Sequence, residues 1–175
     1  MRYWDFTNGA RAGTAEAWLV PGLYENSGET WIPRLVVERH GTGEEPLEST
    51  FVAVIAPFRD SSVVDTVERL SLTTPQGLAL ADSEVALAIT FIDGTRDLLI
   101  LRDPERMEDG STGLPEGHTD AQLAFLRTDE NSTVFSAAMA QGSTLEWNGF
   151  QWRPGGQVSF AETHLDPANP KENNQ

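Results

Sequence analysis

The sequence predicts an all-β fold: an antiparallel β-sandwich of about ten short strands in a single domain. Three observations lead there. Brief β-branched and aromatic runs are separated by Gly, Pro, Asp and Asn. Asp-Gly and Asn-Gly pairs sit between such runs, at Asp93-Gly94 and Asn148-Gly149, and supply the positive φ that tight hairpins require. No window carries a sustained apolar stripe at helical spacing. Uneven strand lengths and several long loops favour the sandwich over the barrel.

The elements follow in order. Trp31 to Arg39 reads as a strand, and Pro33 places it at an edge or a strand start. Thr50 to Ala56 is apolar on both faces, the mark of a central, covered strand, and Pro57 ends it. Val63 to Leu72 alternates imperfectly. Glu84 to Phe91 and Arg96 to Leu101 form a hairpin about Asp93-Gly94. Gln122 to Thr128 and Thr133 to Ala140 form another about Asp129-Glu130-Asn131-Ser132. Gln141-Gly142 turns the backbone into Thr144 to Trp147, and Asn148-Gly149 turns it again into Phe150 to Trp152. Val158 to Ala161 adds a last strand. Asp103 to Thr119, rich in Asp, Glu, Gly and Pro, reads as a long surface loop. The domain spans residues 1–165, and the Pro-, Asn- and Glu-rich tail of 166–175 is expected to be disordered.

Composition excludes several classes. The formal charge is −15 over 175 residues, which repels phosphate backbones and argues against nucleic acid as a partner. No stretch approaches the roughly 20 apolar residues of a membrane helix. The absence of cysteine rules out disulfides and thiolate metal sites. The N-terminus, Met1 to Asp5, lacks the apolar core of a signal peptide. The acidic surface is read first as a solvated one that keeps the protein soluble.

One stretch carries a resemblance. Pro33-Arg34-Leu35-Val36-Val37-Glu38-Arg39, a polar loop, and then Ser49 to Phe58 resemble the C-terminal β-sandwich of heparinase II/III-like polysaccharide lyases. Val67-Glu68-Arg69-Leu70, Glu84 to Leu87, Asp93 to Asp97, Leu123 to Arg127 and Gly142 to Leu145 continue it, so that it covers Trp31 to Trp152. These pieces are strand signatures, and Ala56 stands where the related lyases commonly have an acid. The resemblance implies an accessory sandwich whose partner is a polysaccharide or a catalytic lyase domain. It also implies a secreted or periplasmic setting. The family's catalytic His, Tyr and Asn come from a helical toroid and a first sandwich, so it assigns no catalytic residue here.

Candidate sites follow from side-chain chemistry. His40, His118 and His164 are scattered without the ligand spacing of a zinc site. No Gly-x-Ser-x-Gly elbow is present, and the 27 acidic residues make carboxylate pairs poor evidence of glycosidase chemistry. Asp103, Glu105, Glu108 and Asp109 crowd one loop, and Asp103, Glu105 and Asp109 are the candidates for structural calcium. They lack EF-hand spacing, and a solvated acidic loop is the stronger expectation; otherwise no cofactor is expected. Five tryptophans raise the question of glycan stacking. Trp147 and Trp152 flank the Asn148-Gly149 turn with Gln151 and Arg153 beside them. With Trp31 and Tyr24 they form the candidate carbohydrate-binding set. A two-residue loop puts Trp147 opposite Phe150 and Trp152 opposite Leu145. Core filling is the stronger expectation for any single Trp. The function expected is a non-catalytic carbohydrate-associated module. The alternatives are a lyase or hydrolase with a site on sandwich loops, and a structural partner-binding domain.

Overall fold

The computed structural model describes residues 1–19, 30–41, 43–44, 47–105 and 110–165. Among these residues there are fourteen strands and no helix. The first seven are β1 (Arg2–Asp5), β2 (Arg11–Leu19), β3 (Thr30–Glu38), β4 (Ala53–Ala56), β5 (Val64–Leu70), β6 (Val85–Phe91) and β7 (Arg96–Leu101). The rest are β8 (Thr112–Leu114), β9 (Gly117–Thr119), β10 (Leu123–Thr128), β11 (Val134–Gly142), β12 (Leu145–Trp147), β13 (Phe150–Trp152) and β14 (Val158–His164). The all-β antiparallel architecture is the one the turn and strand signals predict.

The protein forms two compact units, Met1–Trp4 with the described residues from Val54 onward, and Asp5–Ala53. In the larger unit a six-stranded antiparallel sheet runs in the order β14-β11-β10-β7-β6-β5. A four-stranded sheet runs β13-β12-β9-β8, with every neighbouring pair antiparallel. The main core mixes inward residues of both. Ala86, Leu98, Ile100, Ala124, Leu126, Ala137 and Met139 come from the large sheet, Leu145 and Trp147 from the small one. Alanines beside long side chains let the layers interdigitate, and the result is sandwich-like packing with one shared interior. β1 and β4 pair separately.

In the smaller unit β2 and β3 form a two-stranded ribbon, with Trp18 opposite Trp31 and Glu16 opposite Pro33. Pro33 has no N–H to donate, and a two-stranded ribbon leaves it an open edge where none is needed. Thr7 ties the unit's ends: Val52 N donates to Thr7 Oγ1 at 3.0 Å and Phe6 N donates to Val52 O at 2.8 Å.

Several expectations are corrected. The region from Asp103 to Thr119 is not one long loop, because it contains the β8–β9 hairpin. Its strands are only three residues long, and Gly113 and Gly117 within them and Pro115 between them mask them. β1 is only 4 residues long, and β2, with Ala12, Ala15, Ala17 and Gly13 among its residues, has weak strand propensity. The stretch Thr50 to Ala56 is not a covered central strand. Only Ala53–Ala56 is extended, in a two-stranded sheet, and Phe51 and Ile55 are exposed. The imperfect alternation from Val63 has a cause: β5 shifts register between Val64 and Thr66, a bulge that moves later residues to the opposite face. Asp93-Gly94 is not a two-residue primed turn. Only Gly94 has positive φ, while Phe91 N donates to Thr95 O and Gly94 N donates to Phe91 O, which is a three-residue loop with a bulge. Gln141-Gly142 is not a hairpin reversal: β11 continues through Gly142, with Gln141 at a φ of 52°, and the backbone then crosses from the large sheet to β12 of the four-stranded one. The expected tail of 166–175 lies outside the described residues.

Candidate functional site

The four-stranded sheet decides the fate of the tryptophan hairpin. Its register pairs Leu145 with Trp152 and Trp147 with Phe150, as a two-residue loop requires. Side chains alternate along a strand, and directly paired residues share a face. Leu145, Trp147, Phe150 and Trp152 therefore all point inward. Trp147 is only 4% exposed, and Phe150 and Trp152 pack against the same core. The Arg96 guanidinium from β7 lies 5.9 Å from the centre of the Trp147 ring, joining the two sheets by a cation–π contact. Trp147 is thus a core residue and offers no ring to a sugar, and Trp152 is half-buried.

The opposite face carries the polar members. Glu146 stands opposite His118 on one side and Gln151 on the other, and His118 stands opposite Gly113. Glu146 is the hub of this row. Arg153 Nη2 donates a short, charge-assisted hydrogen bond to Glu146 Oε1, and Gln151 Nε2 donates to Oε2 at 3.4 Å. His118 Nδ1 lies 3.7 Å from Glu146 Oε2, beyond direct hydrogen-bond reach. The carboxylate therefore does not set the imidazole tautomer as an acid–base pair needs. Arg153 and Gln151 are exposed, while Glu146 is half-buried.

Two local devices place this row. Asp120, just after β9, clasps the start of β12. Its Oδ1 accepts from Ser143 N and Thr144 N, each at 2.8 Å, and its Oδ2 accepts from the Ser143 hydroxyl. Burial alone would raise the Asp120 carboxyl, but these bonds outweigh it and hold the group below the usual carboxylate range. The second device is Gly117. A Cβ there would lie 1.9 Å from Glu146 O and 2.9 Å from Trp147 Cα, so β9 and β12 approach closely only because residue 117 has no side chain. Gly117→Ala is expected to cost about 1–3 kcal/mol or more, since both obstructing groups are backbone. Urea unfolding measures the loss, and loss of cross-strand NOEs between residues 117 and 147 locates it.

Of the other candidates, Trp31 is 58% exposed on the ribbon of the smaller unit. It shares its face by register with Glu16 and Thr14, opposite Pro33 and Leu35. Tyr24 lies outside the described residues, as does Asp109. Asp103 Oδ1 accepts the Glu105 N–H at 3.0 Å, a local turn bond, and Glu105 is exposed. Among the described residues, no three His, Asp or Glu side chains gather to hold a metal ion. His40 lies beside Glu38, and His164 Nδ1 is 3.3 Å from Ser136 Oγ; neither is near His118 in sequence or sheet.

Sequence reasoning missed Glu146 and Asp120, and it weighed His118 as a metal ligand without placing it beside Glu146. The signal for Glu146 was available: it is the polar residue between Leu145 and Trp147, so it faces away from them. His118 had no such signal, since its strand was hidden in the Gly- and Pro-rich stretch. No protein-family model matches this protein, and no curated protein matches it.

Proposed function

We propose that this protein is a non-catalytic, carbohydrate-associated accessory β-sandwich of the kind attached to polysaccharide lyases. In this reading it touches glycan weakly through the row His118, Glu146, Gln151 and Arg153. The observation that supports it most is the Glu146 hub. An open sheet face presents amide, guanidinium and imidazole groups, with Gln151 and Arg153 pre-aligned by one carboxylate. Sugar hydroxyls are donors and acceptors at once and suit such a mixed set. The charges of Glu146 and Arg153 offset each other, and the protein as a whole is strongly acidic. Both points favour a neutral, hydroxyl-rich glycan over a polyanion.

No aromatic platform lies on this face among the described residues, so the affinity expected is in the millimolar range. Trp31 supports a second contact surface in the smaller unit, because an exposed indole ring stacks on sugar C–H faces. The test is an amide-shift titration with neutral and uronic oligosaccharides. The expected result is shifts centred on residues 118, 146, 151 and 153, weakened several-fold by Arg153→Ala and by Gln151→Ala. Shifts confined to the ribbon and abolished by Trp31→Ala would move the site there. No shift with any glycan would leave the partner-binding reading in its place, and release of unsaturated products from acidic polysaccharide would overturn the non-catalytic one.

A further inference from the structure

The hairpin tip at the end of this row has a chemistry of its own. Asn148 and Gly149 are exposed and have φ of 44° and 84°. Two central residues with positive φ make a type I′ turn. An asparagine before a glycine can cyclise. The Gly149 backbone nitrogen attacks Asn148 Cγ, the Cγ–Nδ2 bond breaks, and ammonia leaves with the proton from the attacking nitrogen. The product is a five-membered succinimide. One water then opens the ring at either carbonyl, giving aspartate or the β-linked isoaspartate. One water is consumed and one ammonia released, with no change of oxidation state.

Ring closure requires Gly149 N to swing against Asn148 Cγ. That corresponds to an Asn148 ψ of about −120°, the value at the first central residue of a type II′ turn. Types I′ and II′ are the two favoured two-residue hairpin loops, and they differ by a flip of the central peptide. The flip rotates only ψ of Asn148 and φ of Gly149. It leaves intact the bond from Asn148 N to Glu116 O at 2.7 Å and the pairing of Trp147 with Phe150. Nothing lies within 4 Å of a Cβ built on Gly149, so the tip is open on that side.

We propose that Asn148 is a deamidation site that its hairpin turn leaves open in the folded protein, and that the β-linked product dismantles the β12–β13 loop. Isoaspartate inserts one extra backbone atom, and a two-residue loop has no slack to absorb it. Glu146 and Gln151 then leave register. Asn8-Gly9 provides an internal comparison. Asn8 does not have positive φ, so its turn is not the I′ type, and a Cβ on Gly9 would touch the Arg39 guanidinium at 3.8 Å.

The test is incubation of the folded protein at mildly alkaline pH beside a urea-unfolded sample, followed by peptide mapping and isoaspartate-specific methylation. The expected result is conversion of Asn148 in the folded protein at a rate comparable with the unfolded sample, ahead of Asn8. Retention of the Asn148 amide in the folded sample while the unfolded one converts would overturn the proposal, as would earlier conversion of Asn8. Asn148→Gly keeps the positive φ and removes the amide. It is expected to hold its melting temperature through the incubation while the unsubstituted protein drifts downward. Equal drift in both would show that the loop is not lost by this chemistry.

Discussion

Replacing Arg102 by methionine is expected to destabilise the protein by about 3–5 kcal/mol at neutral pH, because it strands a buried carboxylate. Arg102 follows β7 and Glu84 precedes β6, and both are buried. Arg102 Nε lies 3.6 Å from Glu84 Oε2, and neither atom has a hydrogen-bond partner within the protein. Arg102 also fastens its surroundings, through Nη1 to Gly110 O at 3.2 Å and its N–H to Gln122 O at 2.8 Å. Burial pushes the Glu84 carboxyl above its ordinary value, against the pull of Arg102. A raised carboxyl contributes stability fully below its unfolded value and loses it as pH rises through the folded one. Without Arg102 the carboxyl moves higher still. The cost of Arg102→Met is therefore greatest at neutral pH and shrinks as the solution is acidified toward the ordinary glutamate range. Urea unfolding at the two conditions reads this directly. The double variant Glu84→Leu with Arg102→Met removes both charges and is expected to recover most of the loss. Equal stability of Arg102→Met and the unsubstituted protein at both pH values would show that the pair carries no such energy.

Trp147→Ala is expected to cost about 3–5 kcal/mol, the range for deleting a large aromatic from a packed core. The ring lies between the two sheets of the larger unit, opposite Phe150 on its own sheet and under Arg96 from the other. Its removal leaves a void between layers and strips the guanidinium of its aromatic face. Trp147→Phe keeps part of the volume and is expected to lose markedly less. Chemical denaturation gives the magnitude, and the near-ultraviolet circular dichroism of the folded state should lose an ordered indole band. The same variant separates packing from recognition. A folded Trp147→Ala protein is expected to keep the glycan response of the outward face, and selective loss of that response would return Trp147 to the binding set.

These effects show where the sequence is informative. The apolar runs of Leu123 to Leu126, Val85 to Phe91 and Leu98 to Leu101 identify their strands from the sequence. The pair Asn148-Gly149 states both the turn type and the register of Trp147 against Phe150, since few other residues adopt two successive positive φ values. The register is legible in this way, while the orientation is not. Period two says that Trp147 and Trp152 share a face but does not say which face meets another layer. Thr50 to Ala56 misleads for the converse reason. A doubly apolar run looks covered, yet coverage depends on neighbouring strands, and this one has a single partner.

Local sterics and alternation within short windows are enough to specify the all-β class, most strand positions and the register of the tryptophan hairpin, so these are written in the residues themselves. Tertiary contacts settle that Trp147 is interior, that Glu146 gathers Arg153 and Gln151, and that Gly117 must lack a side chain. Each of these depends on which segment packs against which, a property of residues distant along the backbone that no local pattern encodes.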